Sequence, residues 1–379
     1  MEISDVRVQR FERSRSVGLR SAVKEVAGTT SLVVTLETDT GLIGRGEASD
    51  IEQPAEIPDD AEIARRLRGP LVGRDPRRIN ALYDEVPDQL DFGPMAFHSF
   101  QQLLVAALDT ACYDLVGKRY GAPAYQLLGG NTAPVTLSWV VFADDPEDYD
   151  GIRSEVQEKY DDGFRHFKLK VGEHGPEVDE ARIRAVREVV GPDASVLLDA
   201  QGEWTIDTAI DRIDRFASIG IDGVETPVGH PDPDVDAPGY YYDKPLFPAE
   251  LATVREAVDV PILEHVLDPS FGTALVRAHA VDVFTVEVCA TGLTGTQRLL
   301  HLAQSAGLGA RLGSTVEFGP GTLAAATLAA ASPAVTHPSD LIGPLVYPDD
   351  VLAEPVRYGQ GSLAPRDRPG LGFDVAFAD

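Results

Sequence analysis

The chain has 379 residues, of which 43% are hydrophobic and 25% are charged. These proportions indicate a globular protein and exclude a disordered chain, a collagen and a coiled coil. Thirty-three basic and sixty-one acidic residues leave a formal net charge of −28 at pH 7. So acidic a surface disfavours nucleic acid and anionic membranes as partners, because binding to either requires positive charge. The two cysteines, Cys112 and Cys289, have no CxxC spacing, which excludes a disulfide framework and a cysteine zinc site.

The same acidity predicts a halophilic protein. Self-repulsion at this net charge destabilises the compact state unless dissolved salt screens it. Lysine supplies six of the 33 basic residues, and an acid-rich, lysine-poor composition suits a cytoplasm of high salt concentration. The first thirty residues carry charges throughout and lack the apolar core of a signal peptide. We therefore expect a cytoplasmic protein that does not enter a membrane.

The first 130 residues predict an α+β domain. Residues 1–47 alternate apolar and polar side chains as strands do, with a TDTG turn between two apolar runs. Residues 60–130 follow with helical periodicity, which breaks at Gly121 and Pro123. Strands followed by helices are typical of an α+β unit. We expect the Pro- and Gly-rich tail, residues 346–379, to pack back on this domain.

From residue 131 to residue 345 the pattern predicts a parallel α/β barrel. Short apolar runs recur, each followed by a polar or glycine signal and a helical segment. The runs are residues 136–142, 166–172, 195–202, 223–228, 261–266, 283–288 and 309–315, with an eighth and weaker run at 334–340. A doubly wound sheet is the alternative, but its glycine-rich phosphate fingerprint is missing after the first strand.

Carboxylates near the ends of successive predicted strands mark a candidate metal site. Asp199, Glu225 and Glu264 close the third, fourth and fifth strands, and such strand ends meet at one face of a barrel. Three carboxylates so close cannot all ionise without a cation, and oxygen ligands suit Mg²⁺ or Mn²⁺. For any one of them alone, the alternative is an arginine pair or a helix cap.

Two lysines on the second predicted strand are candidates for proton abstraction. Side chains alternate along a strand, so Lys168 and Lys170 point to the same side, into the barrel. Two ammonium groups about 7 Å apart repel by roughly 2.4 kcal/mol at an effective dielectric of about 20, which moves a lysine toward the range of a general base. The alternative is a solvated strand end. With a cation holding a substrate carboxylate, one lysine could remove the proton from the adjacent carbon.

The ordered motifs resemble those of a known family. KLK (168–170), LLDAQ (197–201), VETP (224–227) and ILEH (262–265) resemble the motif series of the enolase superfamily, in its mandelate racemase and muconate lactonizing enzyme branch. GLIGRGEAS (41–49) and residues 107–130 resemble the capping domain of that family. The similarity covers nearly the whole chain.

This resemblance implies an α+β capping domain on a modified (β/α)7β TIM-type barrel. It implies Mg²⁺ bound by Asp199, Glu225 and Glu264, with Lys170 as the base and Lys168 lowering the pKa of that base. It also implies a small-molecule carboxylate substrate and a homo-oligomer, either a dimer or an octamer. Capping-domain segments at residues 14–27 and 50–60 would shape the substrate pocket.

Two departures from the family pattern bear on the reaction. Glu287 stands where muconate-lactonizing-type members carry a sixth-strand lysine, and Thr315 stands where racemase-type members carry a histidine. A second base is therefore not evident, and the first expectation is a lyase that dehydrates a hydroxy- or sugar-acid through an enediolate. The alternative is a racemase, epimerase or cycloisomerase with Glu287 as the second base. More remote alternatives are a Schiff-base aldolase using Lys170 and a non-catalytic metal-binding scaffold.

His265 is a further candidate acid, because it follows Glu264 as in several sugar-acid dehydratases of this family. Strand alternation, counted from an inward-pointing Glu264, predicts that His265 points away from the barrel interior.

Overall fold

The structure, a computed structural model, describes residues 1–20, 25–51, 55, 57–92, 99–142, 145–229 and 248–377. Its first part is an antiparallel sheet with helices on one side. The sheet has the order β1 (Ile3–Arg20), β2 (Glu25–Thr38) and β3 (Ile43–Ala48). The helices are α1 (Asp60–Leu71), α2 (Ile79–Glu85), α3 (Phe100–Tyr120) and α4 (Ala124–Leu127).

Two glycines of β3 bring α3 directly onto this sheet. A Cβ at Gly44 or Gly46 would collide with the backbone carbonyls of Ala111 and Ala107 on α3. The close packing buries most of α3, which ends as predicted at Gly121 with a φ of 64°. Only glycine adopts such a conformation readily, so the helix stops there.

The second part is a barrel of parallel strands. After the short β4 (Val135–Thr136), seven strands pair in the order of the chain. They are β5 (Trp139–Val140), β6 (His166–Lys170), β7 (Ser195–Asp199), β8 (Gly223–Glu225), β9 (Ile262–His265), β10 (Val283–Val286) and β11 (Gly309–Leu312). The helices between and after them are α5 (Tyr149–Asp161), α6 (Pro176–Val190), α7 (Ile206–Ala217), α8 (Pro248–Ala257), α9 (Pro269–Ala278), α10 (Val288–Ser305) and α11 (Gly319–Ala331).

Residues 335–340, which we call the closing segment, complete the ring between β11 and β5. Val335 forms a parallel bridge with Ala310 of β11, and Ser339 forms one with Leu137 beside β5. The Asp340 amide donates to the Leu312 carbonyl at 2.9 Å. The weak eighth run of the sequence is therefore the eighth strand position, and the predicted (β/α)7β barrel is confirmed over the doubly wound sheet.

The tail after the barrel contacts both parts of the chain. Strands β12 (Tyr358–Gly359) and β13 (Ser362–Leu363) pair with each other, and β13 pairs with β4. Farther along, the Gly370 carbonyl accepts from Ala124 at 2.7 Å, and the Leu371 amide donates to Asp114 of α3 at 2.9 Å. The division of the chain at residue 130 stays a prediction. Among the described helices, none combines the length and apolar character needed to cross a membrane.

Candidate active site

The pairing register of the barrel decides which side chains face its interior. Lys170 pairs with Asp199, Asp199 with Glu225, and Glu225 with Leu263 of β9. Paired residues on neighbouring strands point to the same face, and side chains alternate along each strand. The interior positions of β9 are therefore Leu263 and His265.

Glu264 lies between these two positions on β9. It pairs with Phe284, whose ring is so close to α9 that a Cβ on Gly272 would lie 3.3 Å from it. The Glu264 carboxylate is buried and accepts from the Thr226 hydroxyl at 3.0 Å and from the His265 amide at 2.9 Å. It thus ties the ends of β8 and β9 together. The expectation that Glu264 joins Asp199 and Glu225 as a metal ligand stays a prediction.

His265 lies between two acidic side chains inside the barrel. Its Nε2 is 3.5 Å from Glu225 Oε2, and its Nδ1 is 3.1 Å from Glu287 Oε1. The prediction that His265 points away from the interior is therefore wrong, because Leu263 and His265 are the residues of β9 in register with Glu225 and Thr285. Burial disfavours the charged imidazolium, but the two carboxylates outweigh it and raise the pKa of His265 to about 10.

Lys168 occupies the centre of the site and Lys170 its edge. The Lys168 ammonium contacts Glu225, Asp340 at 3.2 Å and Asp199 at 3.4 Å. Burial opposes its charge, but these carboxylates raise the pKa of Lys168 above its usual value. Lys170 Nζ lies 3.4 Å from Asp199 Oδ2, and its side chain is 22% exposed against 6% for Lys168. Lys170 is therefore the more exposed of the two lysines.

Arg311 and Asp340 form a buried ion pair that the sequence analysis missed. The Arg311 guanidinium contacts Asp340 and lies 3.4 Å from Glu225, while its Nε donates to the Pro338 carbonyl at 2.8 Å. Asp340 thereby links Arg311 to Lys168. An arginine within the apolar run GARLGST was the available signal for this pair, because a charge in a buried strand requires a partner.

Glu287 stands across the barrel from Lys170. With the closing segment, the described strands make a ring of eight positions, in which β6 and β10 are four positions apart. Lys170 ends β6, and Glu287 directly follows β10 with 3% of its surface exposed. The site therefore carries an amine and a carboxylate on opposite walls, with Asp199 and Glu225 on strands between them.

The capping domain contacts the barrel beside this site. The Ser49 hydroxyl lies 2.8 Å from that of Thr315, after β11. Glu47, on β3, accepts from the amides of Phe318 and Gly321 at 2.9 Å each, which caps the start of α11. Of the segments expected to shape the pocket, 14–20 and 25–27 belong to β1 and β2, whereas 21–24, 52–54 and 56 lie outside the described residues.

The residues fit the implied cation only in part. Asp199 and Glu225 are buried oxygen donors on adjacent strands, as a hard divalent ion requires, and the Lys168 ammonium contacts both. Within the described ranges, no three His, Cys, Asp or Glu side chains are already gathered as a set of metal ligands.

Comparison with known proteins agrees with this architecture. Residues 4–129 match the model of the mandelate racemase / muconate lactonizing enzyme N-terminal domain, and residues 151–379 match the enolase C-terminal domain-like model. L-Ala-D/L-Glu epimerase of Bacillus subtilis is 27% identical over 98% of this chain and 97% of its own length. Muconate cycloisomerase 1 of Rhodococcus opacus is 28% identical over 71% of this chain and 69% of its own.

A solved structure is similar over the whole fold. Dipeptide epimerase from Enterococcus faecalis, complexed with Mg and the dipeptide L-Leu-L-Tyr, superposes with a TM-score of 0.83 and 28% identity, over 98% of this chain and 99% of that one. Family models that match both parts of the chain settle the relationship. The chain belongs to the enolase superfamily, in its mandelate racemase and muconate lactonizing enzyme branch.

Proposed function

We propose that this protein is a divalent-cation-dependent isomerase, which removes the proton α to a substrate carboxylate and returns a proton from the opposite face. The observation that carries this proposal is the placement of Lys170 and Glu287 on opposite walls of one barrel. Inversion at a carbon requires an acceptor on one face and a donor on the other. Epimerases and cycloisomerases among the relatives support isomerisation ahead of dehydration.

Each side chain has a definite part in this reaction. Lys170, the more exposed of the two lysines, takes the α-proton when its amine is neutral. Glu287, opposite, exchanges a proton with the other face of the carbon. Lys168 remains cationic among its carboxylates and contributes fixed positive charge close to the developing anion. A divalent cation held by Asp199 and Glu225 would stabilise the negative charge that spreads onto the substrate carboxylate.

Dipeptides are the first substrates to test, since the full-length relatives include epimerases named for dipeptides. Hydroxy- and sugar-acids are the second group, because they would undergo the dehydration expected from the sequence. Each compound is incubated with the protein in D₂O containing concentrated KCl and MgCl₂ or MnCl₂, and the α-proton is followed by NMR.

We expect deuterium to enter the α-carbon and both stereoisomers to appear. Lys170→Ala abolishes exchange from one stereoisomer, and Glu287→Gln abolishes exchange from the other, while both retain the fold. Lys159→Ala, which removes a lysine that pairs with Glu158 on the helix layer, serves as the matched control and leaves exchange unchanged.

Other results would contradict the proposal. Release of a keto acid without inversion would establish a lyase instead. Trapping of the substrate on Lys170 by borohydride would establish a Schiff-base aldolase. Absence of exchange across the whole panel with every metal would favour the non-catalytic scaffold.

A further inference from the structure

Glu317 is a buried acid that the proposed reaction does not use. It lies between β11 and α11, with 2% of its surface exposed. Its Oε2 accepts hydrogen bonds from the Ser314 hydroxyl at 2.6 Å and from the Thr315 amide at 3.1 Å. Both of these donors are neutral, so they compensate the charge of a carboxylate less than a cation would. Burial without such compensation favours the protonated form of an acid.

The Glu317 side chain lies close to Glu287, the proposed second acid–base group. A Cβ added to Gly313 would lie 3.1 Å from Glu287 Oε1, and the next residue, Ser314, donates to Glu317. The Cys289 thiol, 3.8 Å from Glu287 Oε2, is near both acids, because burial and then the charges of Glu287 and Glu317 raise the pKa of this thiol well above its usual value. The two acids therefore share one buried neighbourhood, in which their negative charges repel.

The surroundings of the two acids differ in charge. His265 Nδ1 lies 3.1 Å from Glu287 Oε1, and an imidazolium there favours an ionised Glu287. Glu317 instead lies beside a third acid, because a Cβ added to Gly321 would be 2.7 Å from Glu317 Cγ and 3.1 Å from Glu47 Oε2. Burial, with a contribution from the charge of Glu287, raises the pKa of Glu317 to about 7. The other titratable groups whose charges interact with those of this neighbourhood are Asp50, Cys289 and Tyr358.

We propose that Glu287 and Glu317 form a pair that holds one proton at neutral pH, with Glu317 as the positioning residue that controls when Glu287 accepts or donates a proton. This inference rests on the proposed function for the role of Glu287. While Glu317 carries the proton, Glu287 is ionised and can accept a proton from the substrate. Once Glu317 has lost its proton to solvent, its negative charge favours the protonated Glu287 that donates to the substrate. Glu317 itself touches no substrate atom.

Titration of the carboxyl groups tests the pairing without any substrate. The protein is labelled with ¹³C at the carboxyl carbon of glutamate, and the resonances are followed by NMR as the pH is raised. Ordinary glutamates titrate at about pH 4.3, so a glutamate that titrates at about pH 7 is recognised apart from them. Its loss in Glu317→Gln assigns it, and Glu317→Asp removes the same labelled carbon if Glu317→Gln does not fold.

The decisive variant in this titration is Glu287→Gln. We expect it to move the titration of Glu317 about one unit lower, because the neighbouring negative charge is lost. Glu155→Gln is the matched control. It removes another glutamate that bonds to a buried side chain, with Oε1 2.7 Å from Trp139 Nε1, but on the helix layer, and it leaves the titration of Glu317 unchanged.

The pH profile of the reaction supplies a second readout. Inversion of the stereoisomer whose α-proton faces Lys170 requires a protonated Glu287. In Glu317→Gln we expect the alkaline limb of this profile to move about one unit lower, because no negative charge forms beside Glu287 to retain its proton. Glu317→Asp keeps that charge and restores the limb. A purely structural Glu317 would change the melting temperature and the maximal rate but would leave the limb in place.

The proposal is overturned if Glu317 titrates with the ordinary glutamates, or if Glu287→Gln leaves its titration at the wild-type pH. Either result leaves the proposed function standing, with Glu287 acting alone. If the wild-type protein instead exchanges no α-proton of any substrate tested, the proposed function is refuted, while the titration still decides whether the two acids are paired.

Discussion

Replacing the buried carboxylate of Glu47 with an amide should change how stability depends on pH. Glu47 is 3% exposed and lies near two other acids, Glu317 and Asp350. Burial outweighs the two amide hydrogen bonds to α11 and, with the neighbouring acids, raises the pKa of Glu47 from 4.5 to about 8. Between these two values the folded chain keeps a proton that the unfolded chain has lost. The free energy of unfolding therefore falls as the pH rises through this window.

The magnitude follows from the width of that window. One proton contributes about 1.4 kcal/mol per pH unit, so about 3.5 units correspond to roughly 5 kcal/mol between pH 4.5 and 8. Glu47→Gln mimics the protonated acid and does not titrate. Its unfolding free energy, measured by urea denaturation at fixed high KCl concentration, should fall less steeply with pH, by about 1.4 kcal/mol per unit.

A matched control is Glu188→Gln, which removes an exposed carboxylate paired with Arg153 at 2.8 Å. Its pH dependence should parallel that of the wild-type protein, because exposed ion pairs contribute little to stability. A contrary result would be an unfolding free energy of Glu47→Gln that changes with pH from 5 to 8 just as that of the wild-type protein does. In that case the Glu47 carboxylate would be ionised in the fold, and our reasoning about its burial would be refuted.

Three further predictions concern salt, metal and packing. The net charge of −28 predicts that the melting temperature rises with KCl up to molar concentrations, and full stability in dilute buffer would contradict this. Glu225→Gln should weaken Mn²⁺ binding by about tenfold or more, measured by EPR titration, because a charged donor is lost; unchanged affinity would remove Glu225 from the site. Asp109 of α3 accepts hydrogen bonds from the Thr294 amide at 2.9 Å and from the Thr294 hydroxyl at 2.6 Å. Asp109→Ala should therefore lower the free energy of unfolding by about 1–2 kcal/mol in denaturation experiments. Asp150→Ala, on the exposed face of α5, should lower it little.

The elements of the barrel could be predicted from the sequence because each apolar run ends at a polar or glycine signal. Which side chains of a strand point into the barrel could not be predicted. Both faces of a parallel barrel strand are buried, so ILEHV shows no alternation of polar and apolar residues that would fix which side faces inward. Pairing of Glu225 with Leu263 decides the phase, and that pairing is set by neighbouring strands. This is why the sequence alone did not place His265 inside the barrel.

Long-range partners were equally beyond prediction. Glu47 belongs to the GLIGRGEAS motif that marks the capping domain, yet its partner Phe318 is 271 residues away in the chain. Arg311 and Asp340 become a pair only because the closing segment lies beside β11. Spacing along one chain contains no signal for such contacts, whereas the carboxylates at strand ends share a position that the barrel topology itself specifies.

The late position of the closing segment has a consequence for biosynthesis. Strands β5 to β11 can join the sheet in the order in which the ribosome releases them, each beside the one before. The seam between β11 and β5 nevertheless stays open until residues 335–340 emerge, and β4 receives its partner β13 only after residue 363. Nascent chains therefore expose two unpaired strand edges through most of translation, and such edges favour aggregation. A chain whose synthesis stops before residue 335 would lack the segment that closes the barrel.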